Sequence, residues 1–220
     1  MQKRKSILLI AGIAIALLII FYGCQNKPKE VAKIIIDSVA MDGSGDIYIV
    51  DTATSVIEWL GSTPGNYKHN GILKLSEGTL TVKNKNITSG KFTIDITSIY
   101  NLDQQGKDRA NLESHLKKKD FFEADRFPSG SFEIKQLKED SISQIVIGNL
   151  TLKGITQTIL VPAKIKIDDN FILAESTTFS IDRTKWGITY NSGIIGTIKD
   201  DLINDDIQLK LKIVAKRKEN

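Results

Sequence analysis

The sequence predicts an all-β domain of about eight antiparallel strands with one short helical insertion. Three observations carry this expectation. Apolar residues recur at period two in many short stretches, turn residues separate those stretches at hairpin spacing, and one central segment switches to the helical period. Strands joined by short turns, without alternating helices, build a barrel or a sandwich and not a parallel sheet.

The chain opens with Lys3, Arg4 and Lys5 before an uncharged apolar run, Ile7 to Tyr22, that ends at Gly23 and Cys24. This is the pattern of a targeting segment. Its 16 residues fall short of the roughly 20 that span a bilayer. A small residue before the lone cysteine resembles a bacterial lipobox. Residues 1–23 are therefore expected to be a lipoprotein signal peptide, with Cys24 the lipidated N-terminus of an envelope protein facing the periplasm. One cysteine cannot form an internal disulfide, and acylation would occupy it. Residues 24–45, polar at the start and glycine-bearing at the end, read as a tether. Residues 46–216 read as one domain and 217–220 as a polar tail. A domain of that size buries roughly 70% of its unfolded surface.

Within the domain, Ile57 and Trp59 alternate with Val56 and Glu58, and Phe92, Ile94 and Ile96 alternate with Thr93, Asp95 and Thr97. Phe132 with Ile134, Ile165 with Ile167, and Phe179 with Ile181 follow the same rule. The last strand is the clearest: Ile207, Leu209, Leu211 and Ile213 share one face, and Gln208, Lys210 and Lys212 the other. One face of the sheet therefore meets an apolar interior. Turns are expected at Pro64-Gly65-Asn66, Glu77-Gly78, Lys83 to Asn86, Lys138 to Ser141 and Asp168 to Asn170. The exception runs from Asp108 to Lys119, where Leu112 and Leu116 are spaced i, i+4, Glu113 precedes Lys117 by four, and Asp108 stands near a helix start. Phe121 and Phe122 follow at once and should pin the helix to the sheet.

Charge and motifs exclude several functions. The chain has 30 Lys+Arg and 26 Asp+Glu, but three of its basic residues precede Cys24, so the mature balance is 27 − 26, or +1. That gives little reason to invoke nucleic acid, which wants a clustered basic face. Nucleotide-binding glycine loops and a G-x-S-x-G elbow are missing, and the sequence offers no nucleophile arrangement, so a non-enzymatic role is expected. His69 and His115 are the two histidines; they lack a third ligand at H-x-E, H-x-H or HExxH spacing, so no metal is expected. The acidic cluster Asp200, Asp201, Asp205 and Asp206 lacks EF-hand spacing and reads as a solvated turn.

The runs YIVDTATSVIEW, His69-Asn70-Gly71, GKFTIDITSI, HLKKKDFFEADRFPSGSF, GNLTLKGITQ and FSIDRTKWGITY, in this order, resemble the YceI family of lipocalin-like periplasmic proteins. The resemblance covers about Ile47 to Ala215, and Trp186 stands where Phe is commoner in the family. It implies an eight-stranded antiparallel lipocalin-like barrel whose elongated apolar cavity holds a polyisoprenoid chain. The periodicity alone leaves the interior either packed solid or open for one ligand.

On that reading the ligand-binding wall is expected from Ile57, Trp59, Phe92, Ile94, Ile96, Phe132, Ile134, Phe179, Ile181, Leu209 and Leu211, with Phe121, Phe122, Trp186 and Tyr190 completing it. His69 and His115 are expected at the rim as polar contacts to a head group. Arg183 has two readings: a bidentate contact to a pyrophosphate, or an ion pair with Asp182 or Asp95. The expected ligand is a polyisoprenoid or a quinone-like lipid, held by a membrane-anchored carrier, and a homodimer is left open. Two other roles stay in view: an envelope interaction module with a solid core, and an enzyme using His69 or His115.

Overall fold

A computed structural model describes residues 41–139, 144–193 and 202–219. The expected signal peptide, Cys24 and most of the tether, with Asp200 and Asp201, lie outside them. The strands are β1 (Asp46–Val50), β2 (Val56–Ser62), β3 (Lys68–Lys83), β4 (Asn86–Asn101), β5 (Ser129–Glu139), β6 (Gln144–Leu152), β7 (Ile155–Ile167), β8 (Phe171–Ser176), β9 (Phe179–Asp182) and β10 (Asp206–Arg217). Between them lie α1 (Gly106–Lys117) and a 3-10 turn, η1 (Arg183–Trp186).

Ten strands make eight staves. β1 and β2 both pair with β10 on one side and β3 on the other, so they are one stave broken at Asp51 to Ser55. β8 and β9 both pair with β10 and form a second broken stave. Antiparallel pairing then runs β2, β3, β4, β5, β6, β7, β8 and returns to β10, which closes the sheet on itself. The ring closes through β7, β8 and β10, while β9 pairs with β10 alone.

Alternation explains which side chains turn inward. In β10 Gln208, Lys210 and Lys212 are exposed while Ile207, Leu209, Leu211 and Ile213 are half-buried against the interior. Lys83 to Asn86 forms the expected tight hairpin, with Asn84 and Lys85 at φ +52 and +61, the mirror-image turn that suits strand twist.

Glu77-Gly78 is not a turn. It lies inside the 16-residue β3, where the register slips between Leu75 and Glu77. A Cβ on Gly78 would fall 2.6 Å from Val50 Cγ2 and 3.0 Å from Phe92 Cδ1, so the glycine admits two side chains beneath a bulge. Glycine in a strand and glycine in a turn look alike until the partner strands are known.

The helix also starts earlier than its apolar spacing indicates. Its N-cap is Gln105, without a side-chain cap, and Asp108 falls inside the first turn, where its charge suits the helix dipole. No α1 side chain is fully buried. The helix is held by the Asn101 N–H, which donates to Glu113 at 2.8 Å, by Leu116 against the core, and by Phe121 and Ala124, which bury the segment that follows.

Up-and-down order places the β2–β3, β4–α1–β5, β6–β7 and β9–β10 connections at one end of the barrel, the helix end. The far end is plugged. Tyr48, Val82, Leu137, Ile172 and Ala215 are buried there, and the Tyr48 hydroxyl donates to the Asp168 and Asp169 carbonyls at 3.1 and 3.2 Å.

Candidate functional site

The barrel interior above that plug is not packed solid. A cavity of about 450 Å³, roughly 15 water volumes, runs up to the helix end. That size falls within the range of small-ligand pockets. Its walls are almost wholly apolar. They come from alternate residues of β2 through β10, because the pleat sends every second side chain inward.

Ile57, Trp59, Phe92, Ile94, Phe132, Ile134, Phe179, Ile181, Leu209 and Leu211 all line it, as the strand faces predict. Phe92 and Phe132 sit opposite each other in adjacent strands with ring centroids 6.2 Å apart. Trp59 lies across Gly71, where an added Cβ would fall 2.5 Å from Cζ2 and 2.1 Å from the Tyr100 carbonyl oxygen. The indole fits because position 71 has no side chain.

Ile96 is the exception. It is 2% exposed and does not reach the cavity. Between the pairs Lys74 with Asp95 and Ile72 with Tyr100, β3 advances two residues while β4 advances five. Asp95 organises the excess: its carboxylate accepts from the Thr97 N–H at 2.9 Å and the Thr97 hydroxyl at 2.6 Å. The bulge resets parity, Ile99 takes the wall position, and the Ile96 N–H bonds to the Pro128 carbonyl.

The mouth is built from two histidine–aspartate pairs. His69 Nδ1 lies 2.8 Å from Asp103 Oδ2, and the Tyr67 ring meets the imidazole edge-on at 4.8 Å. Asp103 Oδ1 also accepts from the Asn70 N–H at 2.8 Å and the Asn101 amide at 2.5 Å. His115 Nε2 lies 3.6 Å from Asp120 Oδ2, and its ring meets Phe121 and Tyr190 edge-on at 5.1 and 4.9 Å. Phe121, Phe122, Leu112, Leu116 and Tyr190 all line the cavity, so the helix and its aromatic successor form the roof. Each histidine keeps its own carboxylate, and no cluster of metal-ligand type occurs among the described residues.

Burial opposes the charge on Asp103, but the Asn70 N–H, His69 and Asn101 outweigh it and hold its pKa below the ordinary 3.8. A lowered folded pKa gives stability that is complete above the unfolded value, about 3.9, and is lost as pH falls through the folded value. Asp103→Asn should cost about 1–2 kcal/mol in urea unfolding at neutral pH, with the difference from the parent shrinking in strong acid. An unchanged midpoint at pH 7 would show the network to be dispensable.

Arg183 forms its ion pair with neither Asp182 nor Asp95. It is 3% exposed, and its guanidinium donates to the carbonyls of Asn204, Ile188 and Ile203 at 3.2, 2.8 and 3.1 Å. Asp205 Oδ1, at 3.4 Å, is its contacting carboxylate, while Asp182 caps η1 by accepting from the Thr184 N–H at 3.0 Å. Burial pushes the guanidinium pKa down, with Asp205 and Asp182 acting against it. Its donors hold the β9–β10 connection, and the residue also lines the cavity. Sequence could not reveal this, because the partners are main-chain oxygens of a loop. Trp186, 1% exposed, donates its indole N–H to the Leu150 carbonyl at 3.1 Å and closes the wall beside it.

The walls on β6 and β7, among them Val146, Leu150, Val161 and Ala163, escaped the sequence-based list. Their alternation was readable, but Gly148 interrupts it in β6. Ile188 and Ile203 reach the cavity from connections, where no period marks them.

A closed antiparallel barrel with an apolar cavity opening at one end defines a lipocalin-like binding barrel. Residues 48–215 match the YceI-like domain, and the chain belongs to that family. It is 28% identical over 95 residues to a UPF0312 protein of Photorhabdus laumondii and 29% identical over 89 residues to one of Yersinia pestis. These matches take in 43% and 40% of the chain, and the chain spans 47% and 44% of those relatives' lengths. Among solved structures, Burkholderia cenocepacia BcnA aligns with a TM-score of 0.60 at 21% identity, over 75% of this chain and 98% of that one. A polyisoprenoid binding domain from Saccharophagus degradans, described as implicated in plant cell wall breakdown, aligns with a TM-score of 0.55 at 10% identity, over 78% and 98%. At such identities the likeness shows the fold alone.

Proposed function

We propose that this protein is a membrane-anchored carrier of the bacterial envelope, facing the periplasm, that sequesters or shuttles a long apolar ligand such as a polyisoprenoid or a quinone-like lipid. The single observation that carries this reading is the apolar cavity, plugged at the far end and roofed by α1. The family and the polyisoprenoid-binding name of its structural neighbour support it.

Each methylene taken out of water contributes about 0.8 kcal/mol. The competing site for such a lipid is the bilayer, however, so most of that term cancels in exchange. The balance then falls to cavity fit, chain entropy and the polar rim at His69 and His115. A lipid anchor at Cys24 with a short tether would raise the local concentration of the mouth at the membrane.

The test is solvent extraction and mass spectrometry of the protein purified from its own host without added lipid. A stoichiometric apolar molecule is expected. Protein that carries nothing, and takes up no prenyl lipid from micelles, would refute the carrier reading.

A further inference from the structure

Among the described residues no lysine and no carboxylate lines the cavity, and its members able to carry positive charge are His69, His115 and Arg183, all at the mouth. Each already has an acidic partner. Asp103 lies 2.8 Å from His69, Asp120 3.6 Å from His115 and Asp205 3.4 Å from Arg183. Asp182 is a fourth carboxylate close enough to act on Arg183, whose guanidinium also donates to three main-chain carbonyls. With both histidines neutral, one cation stands against these four carboxylates; with both protonated, three stand against four. Lys68, Lys118, Lys119 and Lys185 lie at this end too, but they are exposed to water, where salt screens them. An anionic head drawn into the mouth would lose its water and meet no cation without a carboxylate of its own.

A neutral donor, by contrast, is left over. Among the described residues, Trp59 Nε1 is the one buried polar side-chain atom without a partner that belongs to a cavity residue. Trp186, the other tryptophan, gives its N–H to the Leu150 carbonyl at 3.1 Å. A buried indole N–H normally finds an acceptor, so a free one on a residue beside open space is a place for a ligand to supply it. Trp59 pairs across to Gly71, two residues along β3 from His69, which sets the indole about 7 Å of strand below the rim. The missing side chain at Gly71 seats the ring, and the cavity on its other side leaves the indole room to turn its N–H toward an acceptor.

We propose that the carried lipid has a neutral head with a carbonyl acceptor, taken inside the mouth and bound by the Trp59 indole N–H: a prenylated quinone or similar carbonyl lipid, and not a prenyl diphosphate. A carbonyl gives up far less hydration than a diphosphate on entering an apolar space, and one N–H satisfies it. A lipid without an acceptor leaves the indole unpaired, and that difference sets the preference. The prenyl chain then occupies the apolar space toward the plug. The choice of head group rests on the carrier reading; the paired charges of the mouth and the free indole N–H do not.

The experiment offers the full chain three probes that share one geranylgeranyl chain: a naphthoquinone, a diphosphate, and the hydrocarbon without a head. The quinone is expected to bind at least about tenfold tighter than the diphosphate. Trp59→Phe removes packing from every probe, but it should weaken the quinone about tenfold more than the hydrocarbon. A second readout needs no variant. The two tryptophans give two indole N–H resonances in nitrogen-15-labelled protein, and one should move downfield when the quinone is added. Diphosphate binding as tight as the quinone, equal losses for quinone and hydrocarbon at Trp59→Phe, or indole resonances that the bound quinone leaves in place would each overturn the neutral-head assignment while the carrier reading stands. If none of the three probes binds, the carrier reading fails and the assignment falls with it.

Discussion

Arg183→Met is expected to lower the stability of the ligand-free protein by about 3–5 kcal/mol, read as a shift in the urea midpoint. The guanidinium is 3% exposed and donates to three carbonyls, so its removal leaves the Asn204, Ile188 and Ile203 oxygens and the Asp205 carboxylate without their donor. A buried group left unsatisfied costs more than the bond itself contributes. Arg183→Lys keeps the charge but lacks the planar fork, so it should recover less than half of the loss. A head-group role predicts the opposite pattern, in which stability is unchanged and ligand retention falls. That result would overturn the structural assignment.

Filling the cavity is the second large effect. In Val161→Phe with Ala163→Phe, both side chains point into the cavity from β7 and each gains a ring. Where a core is full, added volume costs about 1–3 kcal/mol. Here the space of about 450 Å³ should take the rings with little strain, so the stability change should stay below about 1 kcal/mol. Bound lipid should fall at least about tenfold, since the walls meet before the ligand can enter. Ala215→Phe is the control: Ala215 is 0% exposed in the far-end plug and does not line this cavity, so the same enlargement should destabilise without a selective loss of lipid. If the β7 double variant unfolded as readily as the control, the cavity would not be open space in solution.

The wall residues show how far one-dimensional pattern reaches. Ile207 through Ile213 could be assigned to one face because a pleated strand alternates strictly and β10 contains no bulge among those positions. Ile96 broke the same rule for a local reason, since the extra residues of β4 between Asp95 and Tyr100 have no signature in hydropathy. The His69–Asp103 contact joins residues 34 apart, and the Trp186 indole reaches a carbonyl 36 residues away. Neither spacing is periodic. The likeness of runs such as HLKKKDFFEADRFP to the family placed His115, Phe121 and Phe122 at the cavity end, while their mutual packing with Tyr190 depends on the 187–190 segment folding back over them.

By itself the sequence determined the strand faces, the one helical interruption, the apolar character of the interior and the aromatic pair that docks the helix. These follow from interactions between residues close in the chain and from a period set by backbone geometry. Tertiary structure alone decided that ten strands become eight staves closed at β8–β10, that the interior stays open, and that Arg183 ties down the β9–β10 connection. Each of those outcomes depends on which distant segments pair and in what register, and a one-residue bulge is enough to change it.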